Sequence, residues 1–251
     1  MRIRTTKPAR MDDQSFLDHL EELRWRIIYV LIWFTGTSII SYNFSSETLH
    51  FLAKPLEVYQ NKALFFHPLE PFIASIKVSL LCGLFLTIPF FLWETYLFLR
   101  PAFRRDERKI IPAFFVVSFL LFVTGSCFSY FLLIPAGLRI LFSFGKGYME
   151  PMIPIGQYLS FTLLFIVTLG VLFNFPVVLI LLVKRGIVRI ETLLKGRKIA
   201  ILGAFIFSGV VTPSIDIFTQ TLLAIPLIFL YELTMIFCRL FLKRAPVNAG
   251  N

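Results

Sequence analysis

The residues best placed to do chemistry lie in Phe16-Leu17-Asp18-His19-Leu20-Glu21-Glu22-Leu23-Arg24-Trp25-Arg26. Phe16, Leu20, Leu23 and Ile27 recur at helical spacing and form an apolar stripe. His19, Glu22 and Arg26 fall at i, i+3 and i+7 on another face. A long apolar run follows at once, so this short helix enters a membrane span. Glu22 is then a carboxylate held beside the membrane surface, able to receive a guanidinium from a visiting peptide. A plainer reading stands next to it: Glu22 pairs with Arg26 at i+4 and only supports the helix.

Other chemistries find no residues to perform them. Cys82, Cys127 and Cys238 sit inside apolar runs at no metal spacing and read as packing residues. His19, His50 and His67 form no HExxH-type cluster, and no GxSxG, Walker A or paired intramembrane aspartates occur. No catalytic residue, metal or cofactor is expected. Gly83, Gly125 and Gly170 are isolated in apolar helices and read as sites of close packing.

What must position Glu22 is a membrane bundle. The chain is 57% apolar, with 30 Phe among 251 residues, and its mean hydropathy is +0.78. Too little polar surface remains to coat a soluble domain of this length. Apolar runs near the roughly 20 residues needed to cross a bilayer recur six times, at about 27–44, 72–98, 111–134, 158–183, 199–211 and 217–242. Lipid demands internally satisfied backbone, so all should be helices. The fifth has 13 residues, about 20 Å at 1.5 Å per residue. That is short of a hydrocarbon core of roughly 30 Å, and the bilayer should thin around it. One membrane domain covers residues 1–251, with tails at about 1–10 and 245–251 that read as mobile. No cleaved signal peptide is evident.

The net charge of +10 is explained by its distribution, without a nucleic-acid partner. Four segments carry 20 of the 25 Lys and Arg: before Ile27, 100–109, 184–198 and 239–244. The alternate connections are poor in bases. The positive-inside rule puts both termini on the cytoplasmic side or its organellar equivalent, and the basic segments can also attract anionic lipid.

Ionisable residues inside spans are costly and need an account. Lys77 lies near an outer end and can snorkel. Glu94 lies six residues before Arg100 and can pair with a loop base. Glu232 and Asn174 fall at similar depth in the inner half of their spans. Glu94, Asn174 and Glu232 read either as a polar recess opening to the cytoplasmic side or as inter-helix hydrogen bonding.

Phe16–Arg26 resembles the opening signature of the TatC family, the receptor subunits of twin-arginine protein translocases. Four further segments follow the family pattern in order: Ala53-Lys54-Pro55-Leu56 in the first outer loop, Arg100–Lys109 in the first inner loop, Phe173-Asn174-Phe175-Pro176 in span four, and Thr212–Asp216 with Gln220–Pro226 at the last outer turn and the start of span six. The resemblance implies an all-α, glove-shaped bundle of six helices with short fifth and sixth helices. It implies a protein that binds twin-arginine signal peptides of folded cargo in an energised membrane, with no covalent chemistry. Its signal-peptide carboxylates would be Glu22 and Glu107, with His19 and Arg24 in the same signature. Asn174, Gln220 or Thr219 would meet a single-span TatA-type or TatB-type partner helix, and copies would assemble in the complex. Pro55 and Asp216 would mark outer turns, Asp216 as an N-cap of the last span. At the Asn174 position many relatives carry Glu or Gln, and some carry Gln at Glu94. The resemblance places the protein in a bacterial inner membrane, or in a thylakoid or mitochondrial inner membrane. The competing class is a secondary transporter of a small solute, which would need midplane charges at a repeat interface. No such repeat is visible.

Overall fold

In a computed structural model of the chain, residues 11–59, 64–99, 111–143, 152–184, 186–188, 190–212 and 217–239 are described. They form the helices α1 (Met11–Tyr42), α2 (Ser45–Glu57), α3 (Glu70–Leu99), α4 (Ile111–Phe128), α5 (Ile134–Ser143), α6 (Ile155–Leu172), α7 (Phe175–Lys184), α8 (Ile190–Lys195), α9 (Arg197–Val211) and α10 (Ile217–Phe237). Among the described residues there is no strand; one isolated backbone bridge, Ile155 N–H to Leu64 C=O at 2.7 Å, ties the first connection to the start of α6.

Among the described residues, five stretches are long and apolar enough to cross a membrane: Leu20–Tyr42, Glu70–Phe98, Ala113–Ser143, Ile155–Lys184 and Ile217–Phe237. The expected fifth span is α9, whose 15 residues extend about 22 Å at 1.5 Å per residue. The implied short sixth helix is not found: α10 has 21 residues, or about 31 Å, enough to cross.

Two spans are interrupted where proline cannot donate. The third, expected to stop near residue 134, continues to Ser143 through a π-helical turn, Ser129–Leu133. There Ile134 N–H reaches back to Ser129 C=O, and the wide turn accommodates Pro135. The fourth breaks at Phe173–Asn174, before Pro176. Asn174 N–H turns to Val171 C=O at 3.0 Å, and the Asn174 side-chain amide donates to the Gly170 carbonyl at 3.2 Å. The side chain thus takes over the acceptor that the tightened backbone has released.

The first connection is mostly helix rather than loop. Leu52, Ala53 and Leu56 recur on one face of α2 and are buried, together with Ser45. Pro55, expected in an outer turn, lies inside α2. It brings no N–H to the Phe51 carbonyl one turn back, and the Tyr130 hydroxyl donates there instead, at 2.5 Å. Tyr158 OH donates to the Leu52 carbonyl at 2.8 Å. The main core joins α2, α3, the π turn, α5 and α6 around Leu56, Val78, Ile134, Leu159, Phe165 and Leu169. A smaller cluster of Leu179, Tyr231 and Met235 joins α7 to α10.

Glycines set the close helix crossings, as their isolation in apolar helices predicts. A Cβ at Gly83 of α3 would stand 2.1 Å from Ser38 Oγ and 2.8 Å from Ser38 Cα of α1. At the same crossing the Thr37 hydroxyl reaches Gly83 C=O at 3.1 Å and lies 2.9 Å from the Thr87 hydroxyl. Between α4 and α6, a Cβ on Gly125 would meet the Leu169 carbonyl at 2.6 Å, and one on Gly170 the Ser126 hydroxyl at 2.5 Å. Small residues let backbones approach where lipid provides no hydrophobic drive for helix pairing.

Candidate functional site: a carboxylate pair at the mouth of an apolar groove

α1 and α3 lie side by side, which brings the start of the first span next to the end of the second. Arg26 sits at the junction. Its Nη1 donates to Glu94 Oε2 of α3 at 2.8 Å. Its Nε donates to Glu22 Oε1 at 3.1 Å, and its Nη2 to the same oxygen. One guanidinium therefore binds two carboxylates from two helices with charge-assisted hydrogen bonds. Side-chain exposure is 18% for Arg26, 39% for Glu22 and 22% for Glu94. The trio carries two negative charges and one positive.

Arg26 and Glu94 line a groove of about 330 Å³ with Leu23, Ile27, Phe91 and Phe98. Val30, Leu31, Phe91 and Thr95 also line a second groove of about 630 Å³, which runs on to Phe122, Val171 and Asn174. The two grooves thus adjoin along these shared residues, both are almost wholly apolar, and Arg26 and Glu94 are the charged residues of the first. Asn174 Oδ1 is buried and, among the described residues, meets no hydrogen-bond donor.

The structure brings together part of what the sequence singled out. Glu22 does pair with Arg26 at i+4, but Arg26 also bridges to Glu94. Glu94 thus pairs with a base on the neighbouring span rather than with a loop base. Sequence reasoning missed Arg26 as a tie between spans. The available signal was position along the spans: Arg26 opens the first span and Glu94 closes the second, which returns beside it.

Among the described residues, Glu94, Asn174 and Glu232 line no common groove. Glu94 lines the first groove and Asn174 the second, while Glu232 of α10 lines neither. Glu232 forms a two-point ion pair with Arg197 at the start of α9, with Arg197 Nε 2.8 Å from Glu232 Oε1. The long arginine stem lets its head reach a carboxylate deeper on the next helix.

Gln220 donates to the Phe205 carbonyl at 2.8 Å, and Ser208 Oγ donates to the Gln220 carbonyl at 2.5 Å, closing the α9–α10 hairpin. Thr219 is buried in α10. Lys77 does not run free to the interface: its Nζ donates to Ser160 Oγ at 2.7 Å and to Gly156 C=O at 3.4 Å on α6. Arg24 is exposed, 5.8 Å from the Trp25 ring centroid. His19 falls on α1, with its side chain outside the described set; Glu107 and Asp216 lie outside the described residues. Among the described residues no group of three or more His, Cys, Asp or Glu could hold a metal ion.

Known proteins share this arrangement of helices. A sequence model of the Sec-independent protein translocase protein (TatC) family matches residues 18–226. The Sec-independent protein translocase protein TatC of Carboxydothermus hydrogenoformans is 37% identical over 235 residues, covering 93% of this chain and 96% of that protein. The chloroplastic TATC of Pisum sativum is 35% identical over 219 residues, 87% of this chain and 62% of that protein. A crystal structure of the twin-arginine translocase receptor TatC superposes with a TM-score of 0.79 at 33% identity, covering 87% of this chain and 98% of that one. With the family match running from Asp18, beside the Glu22 cluster, to Pro226 within α10, this chain belongs to the TatC family of Sec-independent protein translocase proteins.

Proposed function

We propose that the protein is the signal-peptide receptor and core subunit of a twin-arginine translocase, moving folded proteins across an energised membrane. The observation that carries the reading is the Glu22–Arg26–Glu94 trio at the end of an apolar groove. A signal peptide has a basic pair followed by an apolar stretch. The arginines meet Glu22 and Glu107 in bidentate hydrogen bonds, and the apolar stretch lies along the groove toward Asn174. No step makes or breaks a covalent bond.

The bundle has six crossings, counting α9, and both ends lie on the cytoplasmic side. The concave groove forms the palm of a glove shape. The 20 of 25 bases in the four inner segments support that orientation. Single-span TatA-type and TatB-type subunits are its partners, and copies of the chain assemble with them. Asn174, whose Oδ1 has no donor among the described residues, is the polar contact we assign to such a helix. Gln220 has its amide engaged inside the hairpin. The bacterial inner membrane is the proposed location.

Site-specific photocrosslinking of a twin-arginine precursor tests the assignment, with a Lys-Lys precursor as control. Hydrogen bonds to charged groups contribute about 1.5–3 kcal/mol each. Glu22→Gln and Glu107→Gln should each weaken binding by about 10- to 150-fold, at 1.4 kcal/mol per decade. Equal crosslinking of Arg-Arg and Lys-Lys precursors, unmoved by either substitution, would remove the site.

A further inference from the structure

A third groove, of about 470 Å³, opens at the other end of α1, among α1, α2, α3 and the π turn. Ser41, on its wall, stands about 22 Å along the helix from Arg26 at 1.5 Å per residue. Leu52, Leu81 and Ile166 form a buried floor, and Phe44, Leu86 and Phe131 an exposed rim. We propose that this groove holds one acyl chain of an anionic phospholipid, with the lipid phosphate on Lys54. The site lies apart from the Glu22 trio and does not depend on the receptor reading.

The lining selects an alkyl chain. Its polar side chains spend their hydrogens within the protein. Cys82 Sγ donates to Thr48 Oγ1 at 3.7 Å, and the Thr48 hydroxyl donates to the Phe44 carbonyl at 3.0 Å. The Ser126 hydroxyl donates to the Ile166 carbonyl at 3.3 Å, and Tyr130 OH is taken by Phe51 C=O. A bound water needs two to four polar partners, and a polar ligand would find little to orient it. An empty trough forfeits the dispersion contacts of its lining. A chain from the surrounding bilayer restores them.

The rim argues against a helix as occupant. Helices pair in lipid through small residues that let backbones approach. Here Phe44, Leu86 and Phe131 stand out around the trough. They hold a helix backbone away and leave room for a flexible chain. One wall is the π turn, a departure from regular helix that often marks a functional site.

Lys54 supplies the charge. Its Nζ lies 5.6 Å from the centroid of the Phe51 ring. That ring lines the groove and stacks on Tyr130 at 4.7 Å. The ammonium is thus held beside the groove wall. Among the described residues Lys54 forms no ion pair; Glu57, one turn on, faces His50 Nδ1 at 3.8 Å instead. An exposed cation beside an apolar trough, where a span ends, matches a ligand with an alkyl chain and an anionic head. A lysine meets phosphate as a point charge, without a fixed geometry.

The test is alkylation of Cys127, an exposed residue of the groove. The purified full chain, in a neutral maltoside detergent, is treated with N-ethylmaleimide and read by peptide mass spectrometry. Phosphatidylglycerol should protect Cys127 at about one fifth of the concentration needed of phosphatidylcholine with the same chains. That factor is the fivefold equivalent of about 1 kcal/mol for one basic residue near the surface, at 1.4 kcal/mol per decade. Lys54→Gln should abolish the preference while both lipids still protect. Lys184→Gln, at the end of α7, should leave the preference intact. Leu86→Trp narrows the groove and should weaken protection by both lipids. Glycerol 3-phosphate, a head without a chain, should not protect.

Equal protection by the two lipids in the unmodified protein, or none by either, overturns the inference. So does a preference that survives Lys54→Gln or is lost in Lys184→Gln, protection by glycerol 3-phosphate, or unchanged protection in Leu86→Trp. Protection that appears only with an added signal peptide would give the groove to the peptide and remove the lipid. If Leu86→Trp does not fold, Lys54→Gln, at an exposed position, decides alone: loss of the headgroup preference supports the site, and its persistence overturns it.

Discussion

The Tyr130 hydroxyl donates to the Phe51 carbonyl at 2.5 Å, the carbonyl that Pro55 leaves without a helical N–H. A proline in one helix thus creates the docking point for a tyrosine 79 positions away in the chain. Tyr130→Phe should destabilise the protein by about 0.5–1.5 kcal/mol, the net range for one lost hydrogen bond. Pro55→Ala in the same background should recover part of this, because residue 55 then supplies the N–H. Thermal unfolding of all four proteins in one detergent measures the coupling. Strict additivity would show that the two residues act independently.

The helix crossings give a second test, with an internal control. A Cβ on Gly83 would press on Ser38 Oγ and on Ser38 backbone. Backbone cannot rotate away, so Gly83→Ala should cost about 1–3 kcal/mol, as overpacking does. Gly36, on α1, has nothing within 4 Å of the corresponding position. Gly36→Ala should be neutral or stabilising by about 0.5–1 kcal/mol, from helix propensity alone. Equal melting shifts for the two would refute the claim that Gly83 sets the α1–α3 distance.

Topology follows from the charge distribution. Single cysteines placed at Ser46, at the start of α2, and at Lys195, at the end of α8, should label from opposite sides. In a cysteine-free background, an impermeant maleimide should reach Ser46 from outside and Lys195 only after the membrane is opened. Labelling of Lys195 from outside would overturn the cytoplasmic placement of the termini.

The legible part of the fold was what lipid enforces. A span must be apolar along its whole length, so composition alone located the membrane helices. The π turn before Pro135 and the helix in the first connection were not legible. The helix around Pro55 depends on a tertiary donor, the Tyr130 hydroxyl, meeting the carbonyl that the proline releases, and a run of apolar residues does not encode that. The site was half legible. Glu22 stands out because a charge at a span entrance is costly. Its tie to Glu94 depends on two spans lying side by side, which the sequence shows only if their depths are compared. Glu232 was read with no named partner, because Arg197 reaches it along its own flexible stem.

Asn174 carries the last prediction. Its Nδ2 satisfies the Gly170 carbonyl at the break in the fourth span, and its Oδ1 is buried without a donor among the described residues. Asn174→Leu removes both groups at once. Losing the Nδ2 bond leaves one buried carbonyl unsatisfied, at about 1–3 kcal/mol, while losing the orphaned Oδ1 relieves a comparable penalty. The two effects offset, so the melting temperature should move little. A partner helix that supplies the missing donor would nonetheless lose its contact. Crosslinking to a TatA-type or TatB-type helix should therefore fall sharply in Asn174→Leu, while twin-arginine peptide binding at Glu22 stays intact. Asn174→Gln keeps both groups on a longer arm and should retain part of the crosslinking. If Asn174→Leu crosslinks normally, the side chain serves only the helix break. If it melts far lower, the Oδ1 is already satisfied and the assigned partner contact fails.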